Sequence, residues 1–275
     1  MSNNNLRFCI VILAAGTSSR YLAAGGLRPK LDEDLGSKPV LQRVVEMFTK
    51  FEPPQGVVSS IVVAGPHDAD EFAAFKERHQ DRLGLLGARV CRGGATHRWE
   101  SVKAALALVP DDCTHVAVHD AARACTPLAV LERVFDAAAR HPAVIPVIEV
   151  SDTLKRVETT DEVEGGEEDD AARILGLGDG PKARVRVVSS TIDRTGLFLV
   201  QTPQVFEAGL LRRAYAQADL SSTDDAGLVE RLGERIVVVE GDSRNLKITR
   251  PVDLELARAV MGLKPPEGRP MNKKF

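Results

Sequence analysis

Short runs of β-branched and other apolar residues alternate along the first half of the chain with segments that have the hydrophobic period of amphipathic helices. This alternation predicts a mostly parallel sheet whose strands are joined by crossover helices. Ser37 and Thr126 stand just before two of the helical segments and are predicted as their N-caps. The predicted strands are Phe8–Leu13, Ser60–Ala64, Ala88–Cys91, His115–Val118 and Val144–Val147, and the predicted helices are Pro39–Lys50, Ala69–His79, Trp99–Leu108 and Pro127–Arg140.

The pattern changes after Val150. Ser151–Val157 and Val185–Thr195 are predicted as two extended segments of an arm or hairpin, flanking a long polar stretch. Residues 158–170 hold eight acids and no base, which predicts a solvated loop that repels itself into an extended state; a metal-binding acidic cluster is the alternative. The α/β pattern then resumes with strand Leu197–Gln201, helices near Glu207–Gln217 and Thr223–Leu232, strand Ile236–Val239 and helix Val252–Met261.

Length and composition describe an ordinary globular protein of one or two domains. The chain has 275 residues, 44% of them hydrophobic and 27% charged, which excludes collagen-like, low-complexity and wholly disordered classes. We expect a single domain over residues 1–263, with the arm at about 150–195, an acidic disordered insertion at 158–183 and a flexible tail at 264–275.

Net charge and cysteine content limit the classes of binding partner and the cellular compartment that we expect for this protein. A net charge of −3 gives no indication of a nucleic-acid or membrane partner. The longest apolar run, Phe8–Ala15, is too short for a membrane span, and it opens the α/β pattern rather than behaving as a signal peptide. The four cysteines lie far apart without metal-ligand spacing, so we expect reduced thiols in a cytoplasmic protein and no zinc.

The loop after the first predicted strand is a candidate phosphate site. Small residues in Ala14–Ser19 would let a ligand approach the backbone, and Arg20 and Lys30 would supply cations for a polyphosphate; an ordinary loop with two surface cations is the alternative. The segment matches neither GxxxxGK[ST] nor GxGxxG, and Ile61–Pro66 offers no acid to hold a ribose. A nicotinamide-dependent dehydrogenase is therefore disfavoured.

Two further segments sit where predicted strands end. In Arg92–Val102, two glycines precede Arg98 and Ser101, which suits a ribose, base or phosphate, or else marks a turn before a capped helix. Asp120 follows an apolar strand, a position typical of a Mg²⁺ ligand, although it could also cap a turn; Arg123 could bind a second anion. Cationic and hydroxyl side chains recur farther along the chain at the ends of predicted elements, as the binding of two phosphorylated substrates would require. The segments that carry them are Asp152–Arg156, Thr191–Arg194, Gln201–Gln204, Thr223–Asp225 and Asn245–Pro251.

Taken in order, these motifs resemble the 2-C-methyl-D-erythritol 4-phosphate cytidylyltransferase family of isoprenoid-precursor biosynthesis. They are AAGxxxR, PK, GGxxxRxxSV, HDAAR, DTLKR, TxDR, TPQxF, TDDA and NLKITRPxDL, and they span about Phe8 to Met261. The resemblance implies a Rossmann-like α/β nucleotidyltransferase sandwich with a mostly parallel sheet and a protruding β-arm that forms a homodimer. It also implies that CTP and methylerythritol phosphate react, with Mg²⁺, to give the CDP-alcohol and pyrophosphate.

The resemblance also implies a role for individual residues, carried over motif by motif. The cytidine part of CTP would be held by Ala14, Ala15, Gly16, Gly94, Arg98 and Ser101. The phosphates would be surrounded by Arg20, Lys30 and Lys247, and the metal would be bound by Asp120. The sugar phosphate would be bound by Arg123, Thr153, Arg194, Thr202 and Thr223, with Arg194 reaching across from the arm of a second subunit.

The chain also departs from the family pattern. Lys30 lies farther from Arg20 than expected, an extra residue separates Gly94 from Arg98, and Asp225 stands where Glu is usual. Ala124 replaces an expected proline, and the arm carries an insertion that includes the acidic run. Two other functions remain open: a ribitol 5-phosphate cytidylyltransferase, against which HDAAR argues, and a catalytically inactive nucleotide-binding protein.

Overall fold

The structure is a computed structural model that describes residues 6–164 and 183–264. These residues form two compact units. The first consists of the chain up to Ile148 and from Val200 onward, and the second is Glu149–Leu199. None of the helices in the described ranges is long and apolar enough to cross a membrane.

The first unit alternates strands and helices. Its first five strands are β1 (Arg7–Leu13), β2 (Val57–Gly65), β3 (Ala88–Arg92), β4 (His115–Asp120) and β5 (Ala143–Glu149). The helices between them are α1 (Ser19–Ala23), a 3₁₀ turn (Lys30–Asp32), α2 (Val40–Lys50), α3 (Ala69–Leu85), α4 (Arg98–Leu106) and α5 (Leu128–Ala138). The second unit holds β6 (Leu154–Glu164) and β7 (Ala183–Ile192), and β8 (Phe198–Val200) leads back to the first unit. There follow β9 (Gln204–Glu207), α6 (Ala208–Tyr215), α7 (Ala226–Glu230), β10 (Val237–Glu240) and α8 (Pro251–Val260).

The main sheet has the strand order β10-β5-β9-β4-β1-β2-β3. Along this order the strand pairs are parallel except that β9 runs antiparallel to both β4 and β5, and β8 pairs with β5 outside this order. In the pairing of β1 with β4, Leu13 lies opposite Asp120, and in the pairing of β1 with β2 it lies opposite Ala64. The carboxyl ends of these strands therefore share one edge of the sheet, where parallel α/β proteins bind their ligands.

Helices cover the sheet on both faces because β1 is apolar on both faces. Phe8, Ile10 and Ile12 are fully buried in one hydrophobic core, together with residues of α2 and α5. Cys9 and Val11, which alternate with them, are fully buried in a second core with residues of α4 and α6. Successive side chains of a strand point to opposite faces, so one continuous apolar strand supports both layers.

Some predictions about local structure were wrong. Pro39 and Pro127 occupy the N-cap positions of α2 and α5, and neither helix has a side-chain cap. The hydroxyl of Thr126 instead donates to Asn245 Oδ1 at 2.8 Å, and Ser37 adopts a positive φ of 64°. The short strand β9 was not predicted because only two of its four residues are apolar.

In the second unit, β6 and β7 form an antiparallel pair in which Leu154 lies opposite Ile192. Residues 158–164 continue β6, and Glu158 lies opposite Val187, so the prediction of a loop from residue 158 onward was wrong at its start. The β-branched residues Val157 and Thr159 favour extended backbone, and the exposed side chain of Glu158 remains solvated. The rest of the predicted insertion, 165–182, and the tail from residue 265 lie outside the described residues.

Candidate active site

The loops after β1 and β3 meet at the carboxyl edge of the sheet. The backbone N–H of Ala14 donates to Ala64 O at 2.8 Å, and that of Gly93 donates to Gly65 O at 2.8 Å. A Cβ added to Gly93 would lie 2.5 Å from Gly65 O, so a side chain there would separate the two loops. A Cβ added to Gly16 would meet no atom within 4 Å. The loop after β1 is therefore open to a ligand at the position of Gly16.

The turn into α4 is held by its own polar groups. The hydroxyl of Ser101 accepts from the N–H of Gly94 at 2.9 Å, and Ser101 is buried. The carboxylate of Glu100 accepts from the N–H groups of Thr96 and His97 at 2.7 and 3.1 Å, and these bonds lower the pKa of Glu100. The extra residue between Gly94 and Arg98 is thus accommodated in a hydrogen-bonded turn.

Asp120, the last residue of β4, is surrounded by cations. Its carboxylate lies 2.8 Å from Lys247 Nζ, 3.6 Å from Arg98 Nε and 3.9 Å from Arg123 Nε. Burial alone would raise the pKa of Asp120, but Lys247, Arg98 and Arg123 together lower it well below its ordinary value. Asp120 is therefore a carboxylate anion whenever the protein is folded near neutral pH.

Thr202 and His119 fix the end of β4. The hydroxyl oxygen of Thr202 accepts from the N–H of Asp120 at 3.1 Å and lies 3.2 Å from His119 Nδ1. His119 Nε2 lies 3.2 Å from the carbonyl oxygen of Arg123, which can only accept. Burial lowers the pKa of His119 to about 4, so the ring is neutral, with its proton on Nε2 and with Nδ1 accepting from Thr202. The hydroxyl of Thr202 thus accepts from Asp120 and donates to His119.

Asn245 joins the segment that carries Lys247 to the rest of the site. Arg123 Nη1 donates to Asn245 O at 2.6 Å, and Asn245 Nδ2 donates to the carbonyl oxygen of Thr202 at 2.9 Å and to Gln201 Oε1 at 3.2 Å. The side chain of Asn245 is fully buried, so each of these bonds is shielded from water. Sequence analysis placed Asn245 in a motif but did not identify this structural role, because the contacts join distant parts of the chain.

Lys30 lies beside the segment that carries Lys247, despite its altered spacing from Arg20 along the sequence. Its ammonium donates to Ile248 O at 3.1 Å, and its backbone N–H donates to the hydroxyl of Ser18 at 3.2 Å. Burial lowers the pKa of Lys30, and the positive charges of Lys247 and Arg20 lower it further against the opposing charge of Asp120. Three cations therefore crowd together here. The residues between Arg20 and Lys30 form the rest of α1 and the segment 24–29.

The remaining predicted residues are distributed as follows. Thr223 is exposed and lines an open cavity of about 700 Å³ together with His97, Trp99 and Lys103. Thr153 and Arg194 are exposed residues of the second unit. The residues gathered at the carboxyl edge of the sheet in the first unit are Ala14, Ala15, Gly16, Arg20, Lys30, Gly94, Arg98, Ser101, Asp120, Arg123, Thr202 and Lys247.

This arrangement is suited to reactions of phosphates. Several cations around a buried carboxylate can bind polyphosphate oxygens and offset the repulsion between two phosphorylated substrates. An open small-residue loop on the same edge leaves room for a nucleoside. The fold and the site together define an α/β nucleotidyltransferase.

Comparisons with known proteins give the family. The family model for 2-C-methyl-D-erythritol 4-phosphate cytidylyltransferase (IspD) matches residues 8–176 and 168–263. The chain is 40% identical to the enzyme of that name from Rhodococcus jostii (strain RHA1), over 91% of this chain and 93% of the relative. It is 33% identical to that from Neisseria gonorrhoeae (strain NCCP11945), over 91% and 96%. The crystal structure of that cytidylyltransferase from Thermus thermophilus matches with a TM-score of 0.64 and 30% identity, covering 92% of this chain and 98% of the other.

The chain belongs to the 2-C-methyl-D-erythritol 4-phosphate cytidylyltransferase family. Members of this family are nucleotidyltransferases that use CTP and methylerythritol phosphate in the methylerythritol phosphate route to isoprenoids. The resemblance inferred from the motifs and the predicted α/β nucleotidyltransferase fold are both confirmed.

Proposed function

We propose that this chain transfers the cytidylyl group of CTP to 2-C-methyl-D-erythritol 4-phosphate at the site around Asp120. A phosphate oxygen of the alcohol phosphate attacks the α-phosphorus of CTP, the bond from that phosphorus to the β-phosphate oxygen breaks, and pyrophosphate leaves with the electron pair. The attacking oxygen is already an anion, so no general base is needed. The chemical difficulty lies in bringing two anions together, and positioning and electrostatics must overcome it.

The observation that carries this proposal is the crowding of cations at Lys30. Lys30 Nζ donates at 3.1 Å to the carbonyl oxygen of Ile248, the residue after Lys247, and burial and the charges of Lys247 and Arg20 lower the pKa of Lys30. An incoming triphosphate would supply negative charge to these cations. We therefore give Lys30, Lys247 and Arg20 the role of holding the phosphates of CTP and stabilising the charge that develops on pyrophosphate.

The nucleoside would lie along the small-residue loop and the turn into α4. The open space at Gly16 and the close approach of the loops at Gly93 support this placement. Ser101 would act by holding the N–H of Gly94, to which it is already bonded, rather than by direct contact. The proposed nucleotide-binding residues are Ala14, Ala15, Gly16, Gly94, Arg98 and Ser101.

Asp120 fits a Mg²⁺ ion. Magnesium usually takes one or two carboxylates and fills its other positions with waters and substrate phosphates. Asp120 supplies one ionised oxygen ligand at the edge where the phosphates would lie, and within the described ranges no cluster of three or more His, Cys, Asp or Glu side chains offers a site made of protein alone. Bound there, Mg²⁺ would neutralise phosphate charge, and Lys247, which is 41% exposed, has room to move aside.

Arg123, Thr202 and Thr223 are proposed to serve the alcohol phosphate, Thr202 by fixing Asp120. Thr153 and Arg194 are proposed to bind it as well, Arg194 from the arm of a second subunit, as the family resemblance implies. Val157 and Val188 lie opposite each other in the β6–β7 pair and are both exposed, an apolar surface that supports a homodimer formed through this hairpin. Sedimentation of the purified protein at micromolar concentration is expected to give twice the chain mass.

The cytoplasm is the proposed compartment. Cys9, Cys91, Cys113 and Cys125 are all free, as in a reducing environment, and burial raises the pKa of Cys9 and of Cys125 to about 11.

A pyrophosphate-release assay tests the activity directly. CTP with methylerythritol phosphate should give rapid release, whereas ATP, UTP or GTP, or ribitol 5-phosphate in place of the alcohol substrate, should give release at least about tenfold slower. EDTA should abolish release and excess Mg²⁺ should restore it. Equal rates with ribitol 5-phosphate would favour the alternative substrate, and absence of release with every pair would indicate an inactive nucleotide-binding protein.

A further inference from the structure

Asp225 stands directly before α7, yet its carboxylate does not cap that helix. The neighbouring Asp224 does so, since its Oδ1 accepts from the N–H of Gly227 at 3.1 Å and its Oδ2 accepts from Gln204 Nε2 at 2.9 Å. Asp225 points inward and is fully buried. Asp224 therefore caps α7, whereas the carboxylate of Asp225 makes contacts of another kind.

The buried carboxylate of Asp225 has two partners. The hydroxyl of Tyr215, at the end of α6, donates to Oδ1 at 2.5 Å, and Arg98 Nη2 lies 2.7 Å from Oδ2. Burial and the charge of Asp225 raise the pKa of Tyr215, so the phenol keeps the proton that it donates. Burial alone would lower the pKa of Arg98, but Asp225 and Asp120 raise it, so the guanidinium stays charged.

The same guanidinium also faces the active site. Arg98 Nε lies 3.6 Å from Asp120 Oδ1, while Nη2 is paired with Asp225 at the shorter distance of 2.7 Å. The charge of Asp225 lies closer to the guanidinium than that of Asp120 and counters its attraction, so Asp225 sets how closely Arg98 approaches Asp120. Without Asp225, the buried charge of Arg98 would turn to Asp120, the carboxylate that the substrate phosphates and their cation need.

We propose that Asp225 is a positioning residue for cytidylyl transfer: it holds Arg98 at a fixed distance from Asp120, and Tyr215 holds Asp225. This inference rests on the proposed function of the Asp120 site. Asp225 touches no substrate in this role and acts only through Arg98. The effect of removing Asp225 should therefore depend on whether Arg98 is present.

A double-mutant cycle in the full-length enzyme tests this dependence. Asp225→Asn should lower kcat/KM for CTP about 10²-fold, as a displaced active-site group does, and Arg98→Met should have an effect of similar size. The double variant should be within about threefold of Arg98→Met alone, because the two residues act as one unit. Multiplied losses, of about 10⁴-fold in the double variant, would show that Asp225 acts independently and would overturn the proposal.

Two further variants separate positioning from stability. Tyr215→Phe keeps the Asp225–Arg98 pair and should cost less than about tenfold in kcat/KM, with the effect lost in the Arg98→Met background. Glu46→Gln is the matched control, since Glu46 is 8% exposed and 2.7 Å from Lys38 Nζ. It should lower the free energy of unfolding but leave kcat/KM within about threefold of wild type. A loss of activity in Glu46→Gln as large as in Asp225→Asn would count against a positioning role.

A measurement without substrate keeps this inference apart from the proposed function. The ¹⁵N NMR signals of the Arg98 guanidinium should show slow rotation about its terminal C–N bonds in the wild-type protein and faster rotation in Asp225→Asn, because Nη2 is the group that is paired with Asp225. Equal rotation rates in both would overturn the positioning role, whatever the activity. If the wild-type protein releases no pyrophosphate, the proposed function fails, and the NMR comparison still decides whether Asp225 fixes Arg98.

Discussion

The ammonium of Lys247 lies 2.8 Å from the carboxylate of Asp120, although the two residues belong to distant parts of the sequence. The contact exists because Asn245 is buried and bonded to Thr202 and Arg123, so the segment that follows it must pass beside the end of β4. Lys247 itself is 41% exposed, whereas the side chain of Asp120 is 12% exposed. An exposed cation beside a buried anion is well placed to exchange its partner for a substrate phosphate.

Asp120→Asn should lower kcat by about 10²-fold and raise the Mg²⁺ concentration needed for half-maximal rate. The amide keeps the size of the side chain but removes the negative charge that Lys247, Arg98 and Arg123 share. Steady-state pyrophosphate release over a Mg²⁺ series measures both effects. Asp112→Asn is the control, because Asp112 is an exposed carboxylate that pairs with Arg7 at 2.9 Å, and it should leave both quantities unchanged. An unaltered Mg²⁺ requirement in Asp120→Asn would remove Asp120 as the metal ligand.

The rate should fall at alkaline pH as Lys30 loses its proton. The lowered pKa of Lys30 means that this loss begins at a lower pH than for an exposed lysine. Lys247→Met removes a nearby positive charge, so the pKa of Lys30 should rise and the alkaline limb of kcat/KM for CTP should move to higher pH, even though the maximum is lower. Lys30→Arg, which stays charged, should remove that limb. A limb that stays in place in both variants would belong to another group.

Gly16→Ala should weaken CTP binding without changing stability. A methyl group there meets no protein atom within 4 Å, so it would occupy space that we propose for the nucleotide. KM for CTP should rise roughly tenfold, equivalent to about 1.4 kcal/mol of binding free energy. Gly84→Ala is the matched control: it also meets no atom within 4 Å, but it lies inside α3 and should stabilise the protein by up to about 1 kcal/mol with an unchanged KM. Thermal unfolding and CTP titration of both variants distinguish the two effects.

Most of the main sheet could be predicted because its buried strands are visible in the sequence as short apolar runs. The residues of β1 are apolar on both faces, and a strand buried on both faces shows a continuous apolar run whatever it packs against. β9 has only Val205 and Phe206 as apolar residues, and it is a strand because β4 and β5 lie on either side of it. The pairing of β9 with β4 and β5 is a tertiary contact, which the sequence of these four residues does not show.

The residues of the candidate active site could likewise be predicted only in part. Gly16, Arg20, Lys30 and Asp120 could be selected because small residues, cations and acids at strand ends suit phosphate chemistry. Their supporting residues could not, since His119, Asn245 and Tyr215 act through contacts between distant segments. Sequence analysis could give Thr202 a motif position, but only the structure shows its hydroxyl bonded to the backbone of Asp120.

His119 should make the protein less stable as the pH falls from about 6.5 to about 4. The unfolded chain binds a proton on this histidine near its ordinary pKa of 6.5, whereas burial lowers the pKa of the folded protein to about 4. Between those values protons favour the unfolded state, so stability rises with pH over this interval, by up to about 3 kcal/mol in total.

His119→Gln keeps an acceptor and a donor for Thr202 and Arg123 but does not titrate. Its urea unfolding free energy should therefore differ less between pH 7 and pH 4.5 than that of the wild type. Burial also lowers the pKa of His115, but that contribution is common to both proteins and cancels in the comparison. The same pH dependence in both would show that His119 takes up its proton equally in the folded and unfolded states.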